Sequence, residues 1–166
     1  MAGIDLIPRP LPPIPTACGV ECVGISNLVT FLNSIPPYYA PMVELWATRV
    51  GDPRTKSGRK LLEERSPLNR VNAIRRPLLI GHGANDPRVK KAEADQIVQA
   101  MQSRGIPVTY LLYSDEGHGV ARPENRLSYY AAADAFLAKH LAGRAEPVGR
   151  DMDGSSVKVM VGAADL

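Results

Sequence analysis

The chain has 166 residues, of which 45% are hydrophobic and 22% are charged, so it has the size and composition of one globular domain rather than a disordered segment. Its net charge of +3 comes from basic residues scattered among acidic ones, which argues against a nucleic-acid partner. No apolar run approaches the roughly 18 residues that span a bilayer and no secretory signal is recognisable, so we expect no membrane contact and a cytoplasmic location.

Residues 1–16 differ in composition from the rest of the chain. Five prolines between Pro8 and Pro15 exclude a helix or a central strand and favour an extended polyproline conformation. The stretch RPLPPIP has the spacing of ligands for polyproline-reading domains, with a basic residue followed by prolines three and six positions later. We therefore interpret residues 1–16 as a proline-rich extended leader, with partner docking as an alternative role.

The next part of the chain is predicted to contain two strands and two helices. Residues 18–26, CGVECVGIS, are typical of a buried strand. Residues 41–51 and 58–67 favour short helices that end at glycine or Ser-Pro signals. Residues 76–86, RPLLIGHGAND, predict a short apolar strand of the kind found in the middle of a parallel sheet.

The second half continues the alternation of strands and helices. Apolar residues at helical spacing predict a helix around residues 94–101, residues 107–113 predict a strand, and residues 129–137 carry the apolar stripe of a last helix. This order favours an α/β fold with right-handed parallel crossovers. Residues 144–166 are polar and contain glycine, and we interpret them as a loose tail.

The only cysteines, Cys18 and Cys22, lie four residues apart, so on a strand both side chains point to the same face. A metal site needs further ligands close by, and the three histidines are not arranged to supply them. We therefore expect two free thiols in a reducing compartment, with no metal and no cofactor.

Two loops at predicted strand ends carry groups suited to acid–base chemistry, Asp86 in GHGANDPRV and His118 in DEGHG. Neighbouring parallel strands bring such loops to the same edge of a sheet, where a carboxylate that accepts from the imidazole fixes its tautomer. The order aspartate then histidine is that of α/β-hydrolases. Spacing alone leaves a second interpretation open, in which Asp86 caps the following helix and His118 makes ordinary loop hydrogen bonds.

Several separated blocks then point to a family. The stretches SPLNRVNAIRRPLLIGHGANDPRV and GIPVTYLLYSDEGHGVARPENRLSYYAAADAFLAKHL resemble the C-terminal part of the catalytic domain of the prolyl oligopeptidase family of serine peptidases, closest to its dipeptidyl and acylaminoacyl peptidases. The resemblance runs from about residue 17 to residue 143. It implies that Asp86 and His118 are the triad acid and base, and that Arg88 holds a substrate carbonyl.

The nucleophile of this family lies in a GxSxGG elbow, and no such motif occurs in the 166 residues. The family spacing places the elbow roughly 20 residues before Cys18, at or just before Met1. No serine stands in an elbow context, Ser26, Ser34 and Ser114 included. Because removing a triad nucleophile costs on the order of 10⁶ in rate, we expect this chain by itself to be inactive.

The resemblance implies a truncated α/β-hydrolase with about three parallel strands and flanking helices. Its parts are the leader at residues 1–16, a partial peptidase domain at 17–143 and the polar tail at 144–166. The strand at residues 18–26 becomes an exposed sheet edge, so we expect a homo-oligomer or a partner chain there.

The expected function is therefore that of a serine-type peptidase lineage, with a peptide or ester as the substrate of the parent enzyme. Two alternatives stay open. The chain is a small esterase with an unrecognised nucleophile, or it is a non-catalytic interaction module that uses the proline-rich leader.

Overall fold

The computed structural model describes residues 16–166, so the leader expected at residues 1–16, with its docking role, lies outside the described residues except for Thr16. In chain order the strands and helices are β1 (Gly19–Cys22), α1 (Leu28–Ser34), α2 (Ala40–Arg49), α3 (Lys56–Arg65), β2 (Leu78–Gly83), α4 (Lys91–Gln102), β3 (Val108–Tyr113), α5 (Pro123–Leu141) and β4 (Val157–Val161). Short 3₁₀ turns lie at Pro37–Tyr39, Pro67–Ala73 and Ala163–Asp165.

The four strands form one sheet in the order β1-β2-β3-β4. β1, β2 and β3 are parallel to one another, and β4 is antiparallel to β3. The crossover from β2 to β3 contains α4, as the strand–helix–strand pattern predicts. The expected α/β class with three parallel strands is confirmed, and a fourth, antiparallel strand extends the sheet.

Alternating side chains of the central strands separate the core into two layers. Leu78 and Ile80 pack with the apolar face of α4, whereas Leu79 and Leu111 pack with the apolar face of α5. Every residue of β2 and β3 is buried, as expected for central strands that are covered on both faces. The two strands that carry the site loops are therefore held rigidly from both sides.

The strand predicted for residues 18–26 is shorter than expected, and a helix follows it. The chain turns at Val23, where φ is 56°, and Asn27 then caps α1 by accepting from the backbone N–H of Val29 at 2.9 Å. Phe31 of this helix packs edge to face against Trp46 of α2. The signal for α1 was present in the sequence, because Asn27 precedes apolar residues at helical spacing.

The other predicted helices occur where the apolar spacing placed them. The helix predicted at residues 41–51 is α2, and the one predicted at 58–67 is α3, which begins earlier because Thr55 accepts from the Gly58 N–H at 3.0 Å. Pro123 occupies the first turn of α5, where its missing N–H is not needed. Across residues 16–166, no helix has both the length and the apolar character that a bilayer requires.

The interpretation of residues 144–166 as a loose tail is wrong for its last part. Residues Val157–Val161 pair with β3, with Val157 opposite Tyr113 and Val159 opposite Leu111. The sequence VKVMV alternates, so that the valines point inward and Lys158 and Met160 point to solvent. The polar composition of the surrounding residues concealed this two-residue period.

The contrast between buried and exposed leucines gives a stability prediction. We expect Leu111→Ala, at a fully buried position, to lower the free energy of unfolding by about 2–5 kcal/mol, since it leaves a cavity between β3 and α5. Leu127→Ala, at a position 52% exposed, should change it by less than about 0.5 kcal/mol. Urea denaturation of both variants tests this, and equal losses would contradict the packing described here.

Candidate active site

The loops that carry Asp86 and His118 leave the sheet side by side. Gly83, the last residue of β2, is in register with Tyr113, the last residue of β3. Just beyond, the Ala84 N–H donates to the Tyr113 carbonyl at 2.8 Å, and the Asn85 N–H donates to the Glu116 carbonyl at 3.0 Å. The two loops are thus joined through their backbones before their functional side chains begin.

Gly83 has to be glycine for the loops to come this close. A Cβ at this position would lie 2.1 Å from the carbonyl oxygen of Gly117, inside any van der Waals distance. The backbone of the His118 loop therefore rests directly on the end of β2. This contact fixes the height of the imidazole above the sheet.

The structure brings Asp86 and His118 into contact, with Nδ1 of His118 2.8 Å from Oδ2 of Asp86. Because a carboxylate only accepts, Nδ1 carries the hydrogen and Nε2 is left without one in the neutral ring. The Asp86 side chain is fully buried, while that of His118 is 32% exposed. The proximity predicted from the two loops is confirmed.

The second carboxylate oxygen of Asp86 binds its own loop. Oδ1 accepts from the backbone N–H groups of Arg88 at 2.8 Å and Val89 at 2.9 Å. α4 begins later, after Lys90, and no side chain caps it. Asp86 therefore holds the turn and the imidazole together and does not cap the helix, so the capping half of the second interpretation is wrong.

His82 lies behind this pair and was not singled out from the sequence. It is fully buried on β2, its Nε2 is 2.9 Å from the Val89 carbonyl, and it is 3.9 Å from Oδ2 of Asp86. Burial lowers the pKa of His82 and outweighs the opposing effects of Val89 and Asp86. A neutral imidazole thus supports the turn that presents Asp86. The pattern Gly-His-Gly at a strand end was the available signal.

A second buried carboxylate, Glu93, organises the other side of the site. It accepts from the Asn27 N–H at 2.8 Å, from the Ser26 N–H at 3.1 Å and from the Thr30 hydroxyl at 2.5 Å. Glu93 is 3% exposed and stands in the first turn of α4. It ties the loop between β1 and α1 to the helix that follows the Asp86 loop.

An open cavity of about 1130 Å³ adjoins the pair. His118 and Arg88 line it, so the exposed edge of the imidazole faces this space. Most of the remaining wall is apolar and comes from the sheet and the helices: Val20, Leu28, Phe31, Trp46, Ile80 and Ile97. The arrangement offers a proton acceptor at the border of a large apolar space, which suits a reaction on a partly apolar substrate.

The side chains of Cys22, Ser26 and Ser34 are not activated as nucleophiles. Burial raises the pKa of Cys22 to about 11, with the charges of Glu21, Asp86 and Glu116 acting in the same direction, so its thiol is neutral at pH 7. The Ser26 hydroxyl donates to the Glu93 carbonyl at 2.7 Å, and the Ser34 hydroxyl donates to the Phe31 carbonyl at 2.8 Å.

Within residues 16–166, no group of three or more His, Cys, Asp or Glu side chains is placed to hold a metal ion.

A family model described as the prolyl oligopeptidase family matches residues 17–144. The chain is 61% identical over 147 residues to dipeptidyl aminopeptidase BIII of Pseudoxanthomonas mexicana, and 46% identical over 132 residues to dipeptidyl peptidase family member 6 of Caenorhabditis elegans. These alignments cover 89% and 79% of this chain. They cover 21% and 18% of the relatives, so the chain spans about a fifth of their length.

Solved structures share the fold. A puromycin-hydrolyzing peptidase of Mycobacterium tuberculosis superposes with a TM-score of 0.66 at 25% identity, over 76% of this chain and 19% of that one. An acylaminoacyl peptidase of Pyrococcus horikoshii superposes with a TM-score of 0.64 at 21% identity, over 79% of this chain and 21% of that one. The chain therefore has part of the fold seen in these peptidases, the α/β-hydrolase fold.

Two titratable groups, His82 and Glu21, give opposite pH dependences. Burial lowers the pKa of His82, so the unfolded chain binds more protons below about pH 6.5 and stability falls with acid. Burial raises the pKa of Glu21 to about 7, although the hydrogen bond from the Gly24 N–H acts to lower it. The folded chain therefore binds more protons than the unfolded chain above about pH 4.5, and stability falls as the pH rises. We expect His82→Asn to shift the slope of stability against pH between about pH 5 and 7 in the negative direction, and Glu21→Gln to shift it in the positive direction.

Urea unfolding at several pH values in this window measures both slopes. Glu64→Gln, on the exposed face of α3, is the matched control for the loss of one carboxylate. Slope changes of the same sign in the His82 and Glu21 variants would contradict the burial of one of these groups.

Proposed function

Since this chain belongs to the prolyl oligopeptidase family, we propose that Asp86 and His118 are the acid and base of a Ser-His-Asp triad that hydrolyses peptide bonds. The observation that carries the proposal is the 2.8 Å contact between Asp86 Oδ2 and His118 Nδ1 at the end of two parallel strands. The family membership supports a serine peptidase lineage for the chain.

The geometry accounts for the chemistry of the base. Nδ1–H of His118 donates to a buried carboxylate, so the bare Nε2 is the nitrogen that takes a proton from an attacking hydroxyl. Two backbone N–H groups and the imidazole all donate to the Asp86 carboxylate. It then stabilises the imidazolium, which returns the proton to the leaving amine in the second half of the step.

Arg88 is proposed to bind the substrate carbonyl. Its backbone N–H is held by Asp86 Oδ1, and the residue lines the same cavity as His118. A guanidinium at this place offers several N–H donors to a carbonyl oxygen close to the base. The adjoining apolar wall gives the substrate side chains a surface to pack against.

The nucleophile is proposed to be a serine outside these 166 residues. The printed sequence has no GxSxGG motif, Ser26 and Ser34 donate their hydroxyl hydrogens to carbonyl oxygens, and the Cys22 thiol is neutral at pH 7. The chain by itself is then unable to form an acyl-enzyme. Without a nucleophile the acid and base contribute almost nothing to the rate.

The proposed substrate class follows the relatives that align over most of the chain. One is named a dipeptidyl aminopeptidase and the other a dipeptidyl peptidase family member, so release of dipeptides from peptide N-termini is the activity we propose for the complete catalytic unit. A cytoplasmic location is proposed as well, since both cysteines are free thiols.

An exchange experiment tests the proposed triad. In a chimera, residues 17–144 of this chain replace the matching segment of the Pseudoxanthomonas mexicana dipeptidyl aminopeptidase BIII. We expect the chimera to release dipeptides and to be labelled by a fluorophosphonate probe, whereas the 166-residue chain alone is not labelled. His118→Ala in the chimera should lower kcat by about 10⁴-fold or more, since no base remains.

Ser114→Ala in the chimera is the matched control, because it changes an exposed residue of the same loop. It should retain activity. A His118→Ala chimera that folds and keeps its activity would contradict the proposal. Labelling of the 166-residue chain that depends on His118 would instead support the esterase alternative.

A partner along β1 is proposed from the shape of the sheet. β1 pairs with β2 on one side, and no strand among residues 16–166 pairs with its other side. The N–H groups of Gly19 and Val23 donate toward β2, so those of the alternate residues Val20 and Cys22 point away from it. Unpaired strand edges bind further strands, either from a second copy or from another polypeptide.

Light scattering of the 166-residue chain at micromolar concentration tests this edge. We expect a mass above the 18.0 kDa of one chain, and a monomeric mass for Val20→Pro, because proline removes an outward N–H. Val20→Ala is the control for the loss of side-chain volume and should behave as the unchanged chain. A monomeric mass for the unchanged chain would contradict the proposal.

A further inference from the structure

We infer that the C-terminal segment beginning at Ser155 positions His118 through the buried amide of Asn125. The inference rests on the proposed function for its consequence, because the position of His118 matters to catalysis only if it is the base. It adds a positioning residue, Asn125, and a role for the residues that precede and form β4.

Asn125 lies in the first turn of α5 and is 1% exposed. Its Nδ2 donates to Asp115 Oδ1 at 2.9 Å and to Glu116 Oε1 at 2.8 Å. Its Oδ1 accepts from the Ser155 hydroxyl and from the Ser156 N–H, both at 2.9 Å. The donors thus face the His118 loop and the acceptor faces the C-terminal segment, so a single side chain joins the two.

On the loop side, Glu116 closes the segment that contains His118. Its Oε1 also accepts from the Arg122 N–H at 2.8 Å, so one carboxylate spans the turn from residue 116 to residue 122. Although burial by itself raises the pKa of Glu116, hydrogen bonds from Asn125, Arg122 and Ala121 lower it overall. An ionised carboxylate, 4% exposed, therefore holds both ends of the loop around the imidazole.

On the opposite side, the C-terminal segment is held firmly enough to serve as an anchor. The Ser155 hydroxyl is 2.9 Å from the Ser128 hydroxyl of α5, and the Ser156 hydroxyl donates to Asp115. The next residue, Val157, pairs with Tyr113, where β3 ends and the loop begins. At the end of the chain, Asp165 binds Lys139 at 2.7 Å.

These contacts make a continuous path from β4 to the imidazole. β4 fixes the two serines beside the end of β3, the serines orient the Asn125 amide, and the amide holds the two carboxylates that precede His118. Removing a network that only stabilised the fold would lower the stability of the whole chain. A positioning network affects the hydrogen bond between His118 and Asp86 first.

The test reads the His118 tautomer directly in the 166-residue chain by ¹⁵N NMR above neutral pH, with the signal assigned through His118→Gln. The unchanged chain should show the Nδ1–H form. In Asn125→Asp, a carboxylate faces Asp115 and Glu116, and the ratio of the Nδ1–H to the Nε2–H form of His118 should fall at least about threefold. The double variant with Ser155→Ala and Ser156→Ala removes every contact of the two hydroxyls but keeps the Ser156 N–H donor to Asn125, and it should lower the ratio in the same direction by less.

Asn27→Ala is the matched control, because it removes an asparagine side chain whose hydrogen bonds cap α1 instead of holding the His118 loop. It should reduce the melting temperature and leave the tautomer ratio unchanged. A folded Asn125→Asp chain with the unchanged ratio overturns the inference, and so does an equal fall of the ratio in Asn27→Ala. If Asn125→Asp does not fold, the double serine variant decides, and an unchanged ratio there overturns the inference.

This experiment is independent of activity. An inactive chimera with a normal tautomer response would remove the proposed function and leave the positioning role in place. An active chimera, together with an unchanged tautomer ratio in Asn125→Asp, would support the proposed function and remove the positioning role.

Discussion

The parallel pairing of β2 with β3 is the constraint on which the site depends. Six residue pairs keep the strands in register and end them at the same level, with Gly83 beside Tyr113. Because strand side chains alternate, a shift of one residue would exchange the α4 and α5 faces of β3 and move its loop by about 3.3 Å. The 2.8 Å contact between Asp86 and His118 follows from this register and from the missing side chain of Gly83.

Satisfied buried polar groups then turn two adjacent loops into a defined site. Asp86, Glu93, Glu116 and Asn125 are each at most 4% exposed, and each accepts or donates several hydrogen bonds. A buried polar group that loses its partners costs about 1–3 kcal/mol, so such groups allow only one arrangement of the loops they join. These contacts hold the two loops that carry Asp86 and His118.

The two sides of the site differ in character. On one side the polar loops hold His118 by hydrogen bonds; on the other, an open apolar cavity adjoins it. Directional contacts suit a base whose proton transfer depends on geometry, whereas an apolar wall accepts side chains of varied shape. Among residues 16–166 one edge of β1 has no partner strand, and this edge borders the same cavity, so a chain that binds there also lies beside His118.

Local pattern was enough to predict the α/β class, most helices, and the strands at residues 76–86 and 107–113, because hydrophobic periodicity is encoded within short windows. It was also enough to predict the contact between Asp86 and His118, because both residues lie in loops that directly follow predicted strands. The predictions lacked α1, although Asn27 and the apolar spacing after it are local signals, and they lacked β4, whose valine alternation lies inside a polar segment. The roles of His82, Glu93 and Asn125 depend on partners up to 67 residues away in the chain. No window of sequence contains both ends of such hydrogen bonds, so folding alone decides which buried polar groups meet.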